Sequence, residues 1–126
     1  MNNSVELWKC IDIPEYQHYE ISNLARIRNK NSGYMFNTES PSQKYIQILL
    51  SSDNKTKGFF LHRLVAKAFV FNPNPTIYRF VDHIDGNTRN NKAENLEWVT
   101  SSENKQRSNT KRKDKLTNSQ NEIIEL

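Results

Sequence analysis

A chain of 126 residues is enough for one domain and too short for two of ordinary size. Its 18 Lys and Arg against 14 Asp and Glu give a net charge of +4, yet residues 105–115 (KQRSNTKRKDK) alone hold six basic residues and one acid, so the remainder is close to neutral. No apolar run nears the roughly 18 residues of a membrane span, MNNSVELWKC lacks the regions of a signal peptide, and Cys10, the only cysteine, excludes both an intramolecular disulfide and a cysteine-built zinc site.

These features predict a soluble, intracellular protein with a small core, in keeping with a mean hydropathy of −0.87. A concentrated basic segment on a near-neutral body points to a polyanionic partner, with nucleic acid first.

In chain order, residues 1 to about 31 are polar with interleaved aromatics (Trp8, Tyr16, Tyr19). Tyr19-Glu20-Ile21-Ser22 alternates, as does Leu24-Ala25-Arg26-Ile27-Arg28, which places Arg26 and Arg28 on one strand face. Ser32-Gly33 marks a turn. Tyr45 to Leu50 reads as a strand with Ile46, Ile48 and Leu50 on one side, and Gly58 to Leu61 returns as its hairpin partner. Leu61, Leu64, Val65, Ala68 and Phe69 recur at helical spacing and predict an amphipathic helix, which Asn72-Pro73-Asn74-Pro75 ends. Strands are expected at Arg79 to Ile84 and Asn95 to Val99, about an Asp85-Gly86-Asn87 turn. Thr100-Ser101-Ser102-Glu103 fits a capping box that opens a helix. From Ser101 to Glu122 the only large apolar residue is Leu116, so that helix should be solvated and fray into the basic tail.

The densest chemistry lies at Asp82-His83, followed by amides at Asn90, Asn91, Asn95 and Asn104. A strand–turn–strand–helix path brings residues 82 and 104 back beside each other. Phosphodiester hydrolysis needs such a set: a base of near-neutral pKa to activate water, and oxygen ligands for a divalent cation. Neighbours on a regular strand point to opposite faces, so Asp82 and His83 can share one phosphate only at a distorted strand end.

The segment VDHIDGNTRNNKAENLEWVTSSEN (81–104) resembles the HNH endonuclease domain, the ββα-metal fold of phage and intron-encoded homing endonucleases. HRLVAKAFVFNP (62–73) resembles the helix leading into it. Trp8-Lys9 and the stretch from Tyr19 to Arg28 resemble the small nuclease-associated modular domain that often precedes it. The resemblance implies His83 as general base, Asp82 as metal ligand, Asn95 as the asparagine bracing the loop around the base, and Asn104 as second metal ligand. The last position is most often His; an amide there favours Mg²⁺ or Mn²⁺ over tightly held zinc. The implied partner is double-stranded DNA, contacted by Arg26, Arg28 and Arg89 and, in the tail, by Lys105, Arg107, Lys111, Arg112 and Lys113. Arg26 and Arg28 fit an ordinary exposed face equally well.

Blander readings apply elsewhere. His18 reads as structural or exposed, His62 as structural ahead of a phosphate contact, Asn90 and Asn91 as turn residues, and Asp85 and Glu97 as solvated or loop-bracing. Trp98 and the helix stripe read as core.

The expected architecture is α+β, with three parts. Residues 1–57 form a β-rich DNA-binding module, 58–109 the HNH unit with its leading helix, and 110–126 a basic tail. Residues 115–126 resemble the opening helix of a helix-turn-helix, which implies a truncated module and weak site specificity. The expected function is metal-dependent DNA cleavage, with a non-cleaving DNA-binding remnant as the alternative; monomer and weak dimer both remain open.

Overall fold

A computed structural model of the chain describes residues 5–39 and 43–103. Asn104, the tail residues Lys105, Arg107, Lys111, Arg112 and Lys113, and the whole of 110–126 lie outside the described residues. The described elements are mixed α and β, as the sequence patterns require, and every strand pairing is antiparallel.

The first sheet joins β1 (Trp8–Cys10), β2 (Tyr19–Ser22) and β3 (Ile27–Asn29) in that order. Ile21 pairs with Ile27, and both are fully buried. The alternation that predicts a strand from Leu24 is overridden by a turn. The buried Ser22 Oγ accepts from the backbone N–H groups of Leu24 and Arg26, at 3.1 and 3.2 Å, and Ala25 takes a left-handed φ of 67°. The strand therefore begins only at Ile27.

β4 (Gln47–Ser52) and β5 (Lys55–Phe60) form a hairpin. Ile46, Ile48 and Leu50 face inward while Gln47 and Leu49 face water, the alternation of a half-buried strand. Asp53 and Asn54 close the turn with φ of 50° and 66°, the paired left-handed geometry that matches hairpin twist.

β5 runs directly into α1 (Leu61–Phe69). Nine residues are too few for a helix to be stable alone, so packing decides its position. Leu61, Leu64 and Val65 are buried, each contributing at most about 1.5–3 kcal/mol. They join Ile21 and Ile27 of the first sheet, Ile48 and Leu50 of the hairpin, and Val81 and Leu96 beyond the helix in one core. Lys9 Nζ lies 4.9 Å from the Phe69 ring and donates to Ala68 O at 2.8 Å, placing a cation on the exposed carbonyls of the helix C-terminus.

A final hairpin of β6 (Phe80–His83) and β7 (Leu96–Val99) packs against α1. Trp98 is half-buried against the core, and its indole N–H donates to Val70 O at 3.0 Å. The loop before β7 is tied to the first sheet by Ala93 N–H donating to Asn23 O at 2.9 Å. The capping box forms: Glu103 N–H donates to Thr100 Oγ1 and Thr100 N–H to Glu103 Oε1, both at 3.0 Å. No helix among the described residues is long and apolar enough to cross a membrane.

Candidate active site

The β6–β7 hairpin carries Asp82 and His83 in unbroken register, Asp82 opposite Glu97 and His83 opposite Leu96. One step further, Ile84 N–H donates to Asn95 O at 2.8 Å. The distorted strand end expected from the sequence is therefore not found. The turn starts at His83 itself, with Ile84 and Asp85 at its centre: Gly86 N–H donates to His83 O at 2.8 Å and Gly86 sits at φ 80°, a conformation glycine adopts without strain. Asp82 and His83 leave the strand on opposite faces, yet both are buried, at 8% and 3% exposure.

The loop from Ile84 to Asn95 is held by its own amides and one carboxylate. Asn95 Oδ1 accepts from Asp85 N–H at 3.1 Å, and Asn95 Nδ2 donates to Asp85 Oδ1 at 2.9 Å and to Asn90 O at 2.8 Å. Asp85 Oδ1 also accepts from Asn87 N–H at 2.8 Å, and Oδ2 from Asn90 Nδ2 at 3.1 Å. Burial alone would raise the Asp85 carboxyl; the bonds from Asn87, Asn95 and Asn90, with the nearby His83 charge, outweigh it and hold the group below its ordinary value. Asp85 is thus loop-bracing.

His83 sits between this loop and two aromatic side chains from earlier in the chain, Tyr45 and His62. Asn91 Oδ1 lies 2.7 Å from His83 Nε2. The sequence reading assigns Asn91 to a turn, but the side chain is buried against the imidazole. Beside the ring, His62 of α1 has its centroid 5.0 Å away and Tyr45 stands 6.1 Å away at an interplanar angle of 18°, the two rings lying 5.1 Å from each other. Asn91 and Tyr45 are the site residues that sequence reasoning missed. Nothing in local spacing marks Tyr45, and Asn91 looks like any loop asparagine until the loop folds back.

His62 is the structural histidine the sequence favours. It is buried, and its Nδ1 has no hydrogen-bond partner among the described residues. Burial, then the charges of His83 and Arg63, lower its pKa from 6.5 to about 4. The sign follows: the unfolded chain takes up this proton below about 6.5 and the folded chain only near 4. This contribution to stability is therefore present above pH 6.5 and lost as pH falls toward 4, by at most about 3 kcal/mol. His62→Phe cannot titrate, so urea unfolding across that range should show a flatter acid limb than the parent. An equally steep limb in the variant would contradict the assignment.

The Asp82 face offers hard oxygens. Asp82 and Glu97 stand directly across the ladder on one side of the hairpin. Carboxylate oxygens suit hard divalent cations. No group of three His, Cys, Asp or Glu that could hold a metal occurs among the described residues, and Asn104 lies outside them.

The proposed DNA contacts near the N-terminus are engaged within the protein. Arg26 donates to both Glu6 oxygens, at 2.8 and 2.7 Å, and Arg28 Nε to Glu20 at 2.8 Å. Arg28 also lies 3.8 Å over the Trp8 ring. The hydrogen bond from Arg26 holds the Glu6 carboxyl below its ordinary value. Arg89 donates to Gln43 O, which joins the site loop to the segment before Tyr45.

Comparison with known proteins places this geometry. Residues 59–106 match the model of the HNH endonuclease family, and residues 6–64 that of the NUMOD4 motif. An uncharacterised HNH endonuclease of Acanthamoeba polyphaga mimivirus is 36% identical over 106 residues, covering 84% of this chain and 27% of the relative. The DNA endonuclease I-HmuI of Bacillus phage SP01 is 39% identical over 94 residues, covering 74% of this chain and 52% of its own length. A solved structure described as DNA binding and cleavage by the HNH homing endonuclease I-HmuI superimposes with a TM-score of 0.73 at 32% identity, covering 90% of this chain and 64% of that one. The chain thus spans about a quarter of the mimivirus relative and about half of the phage enzyme. The two matches follow one another along the chain, which thus carries an HNH endonuclease domain preceded by a NUMOD4 motif.

Proposed function

We propose that the chain is a metal-dependent DNA endonuclease of the HNH homing type, acting inside the cell on double-stranded DNA. The observation that carries this is the hairpin end itself. An imidazole and a carboxylate on consecutive residues of β6 are both buried, and the loop that follows them is held by the amide of Asn95. β6 pairs only with β7 among the described residues, so no second strand lies along its other edge there. A phosphate lying along that edge would meet side chains from both faces of a regular strand.

In this reading His83 takes a proton from water, and the resulting hydroxide attacks the scissile phosphorus in line. The products carry a 5′-phosphate and a 3′-hydroxyl. Asp82, with Asn104, would hold one divalent cation, Mg²⁺ or Mn²⁺, whose charge stabilises the leaving 3′ oxygen. Asn95 does no chemistry; it keeps the loop closed around the base. Arg89 and the tail residues Lys105, Arg107, Lys111, Arg112 and Lys113 would meet the phosphate backbone. Arg26 and Arg28 would do so only while paired with their carboxylates. We place the DNA-binding module at 1–57 and the catalytic unit at 58–109.

Supercoiled plasmid incubated with Mg²⁺ or Mn²⁺ should be nicked, and chelator should stop the reaction. DNA retained in a binding assay but never nicked under either metal would leave the non-cleaving remnant as the reading.

A further inference from the structure

We propose that Asn91 is a positioning residue that selects the ring nitrogen of His83 receiving the proton, an inference that rests on His83 being the base. The contact is short, 2.7 Å from Asn91 Oδ1 to His83 Nε2, and both side chains are 3% exposed. Water therefore competes poorly for the contact between Oδ1 and Nε2. The far end of the amide settles which atom faces the ring. Asn91 Nδ2 donates to Thr88 O at 3.3 Å; a flipped amide would set its oxygen against that carbonyl oxygen, with no proton between them. Oδ1 consequently faces the imidazole, and an amide oxygen only accepts. The neutral ring must carry its hydrogen on Nε2, and the lone pair that takes a proton from water resides on Nδ1.

The surroundings leave the ring little freedom to choose otherwise. Tyr45 and His62, whose own rings are 5.1 Å apart, pack beside the ring at 6.1 and 5.0 Å, while Asn91 holds its Nε2 edge. Asn91 is in turn placed by the loop. Asn95 Nδ2 grips the carbonyl of the preceding residue, Asn90, at 2.8 Å, and Asn90 N–H donates to Asn87 O at 3.0 Å. The brace assigned to Asn95 thus reaches the base through Asn91. A ring in the other tautomer offers its proton-accepting nitrogen to Asn91 instead of to water, so loss of this bond reduces the competent fraction of enzyme without touching DNA affinity.

The test combines kinetics with a tautomer measurement on the full chain. Asn91→Leu, of similar size but without an acceptor, should lower kcat about 10- to 100-fold, as loss of a histidine's supporting hydrogen bond does at metal sites, with KM within about twofold. Asn91→Asp, which keeps an acceptor oxygen, should recover most of that loss. In ¹⁵N spectra recorded where the ring is neutral, His83 of the parent should carry hydrogen on Nε2, and Asn91→Leu should show a mixture. Hydrogen on Nδ1 in the parent, parental kcat in Asn91→Leu, or a change in KM alone would each overturn the proposal. Should Asn91→Leu fail to fold, the parent spectrum decides alone. That spectrum needs no cleavage, so it separates this inference from the base assignment, which His83→Ala kinetics test.

Discussion

Replacing His83 with alanine is expected to slow single-turnover cleavage by about 10²- to 10⁴-fold, the contribution typical of a positioned general base, while duplex affinity stays within about twofold. The two effects separate because the imidazole is turned into the protein. It contacts Asn91, Tyr45 and His62, whereas the residues proposed to meet the DNA backbone are others, Arg89 among them. Truncation also removes ring packing from the centre of the site, so part of any loss could come from unfolding. His83→Gln retains volume and polarity but is a poor base, and it should show the same rate defect with a smaller loss of stability. Either variant cutting at the parental rate would remove His83 from the chemistry.

Asn95→Ala is expected to cost about 2–4 kcal/mol of folding stability. The amide makes three hydrogen bonds, to Asp85 N–H, Asp85 Oδ1 and Asn90 O, and it is 7% exposed. Each bond contributes about 0.5–1.5 kcal/mol, and each group orphaned in a buried setting costs about 1–3 kcal/mol. Asp85 reaches solvent and can recover water, which keeps the total below the sum of those figures. The loss also removes one of the bonds holding the Asp85 carboxyl low. Cleavage should fall together with stability, because the loop that carries Asn91 is no longer closed. Urea unfolding of parent and variant reads the first effect; a difference below about 0.5 kcal/mol would show that the loop is held by other means.

The parts of the molecule legible in the sequence are those specified by local pattern. The Leu61, Leu64 and Val65 stripe is a helix because apolar residues at that spacing share one face, and it is buried along that face. Ile46, Ile48 and Leu50 alternate and point inward for the equivalent reason in a strand. His83 and Asn95 were visible through the spacing of a whole motif. What stayed hidden depends on contacts far apart in the chain. β1 is three residues long, and its pairing is secured by Asn23, whose side chain accepts from Leu7 N–H at 2.7 Å and donates to Val5 O at 3.0 Å. The shared face of Arg26 and Arg28 was readable, but their partners Glu6 and Glu20 were not. Asn91 illustrates the limit most clearly. Its neighbours Asn87 and Asn90 are turn residues, and only the return of the loop to His83, eight positions back, gives it a different role.

The central claim is that the Asp82 face holds the cation that the cleavage reaction needs. Cleavage rate measured against Mg²⁺ concentration, for the parent and for Asp82→Asn, addresses it most directly. The parent should show a saturating dependence abolished by chelator, and the variant should need about tenfold more metal or higher to reach half its maximum. Superimposable curves, or a parental rate indifferent to chelator, would contradict the assignment.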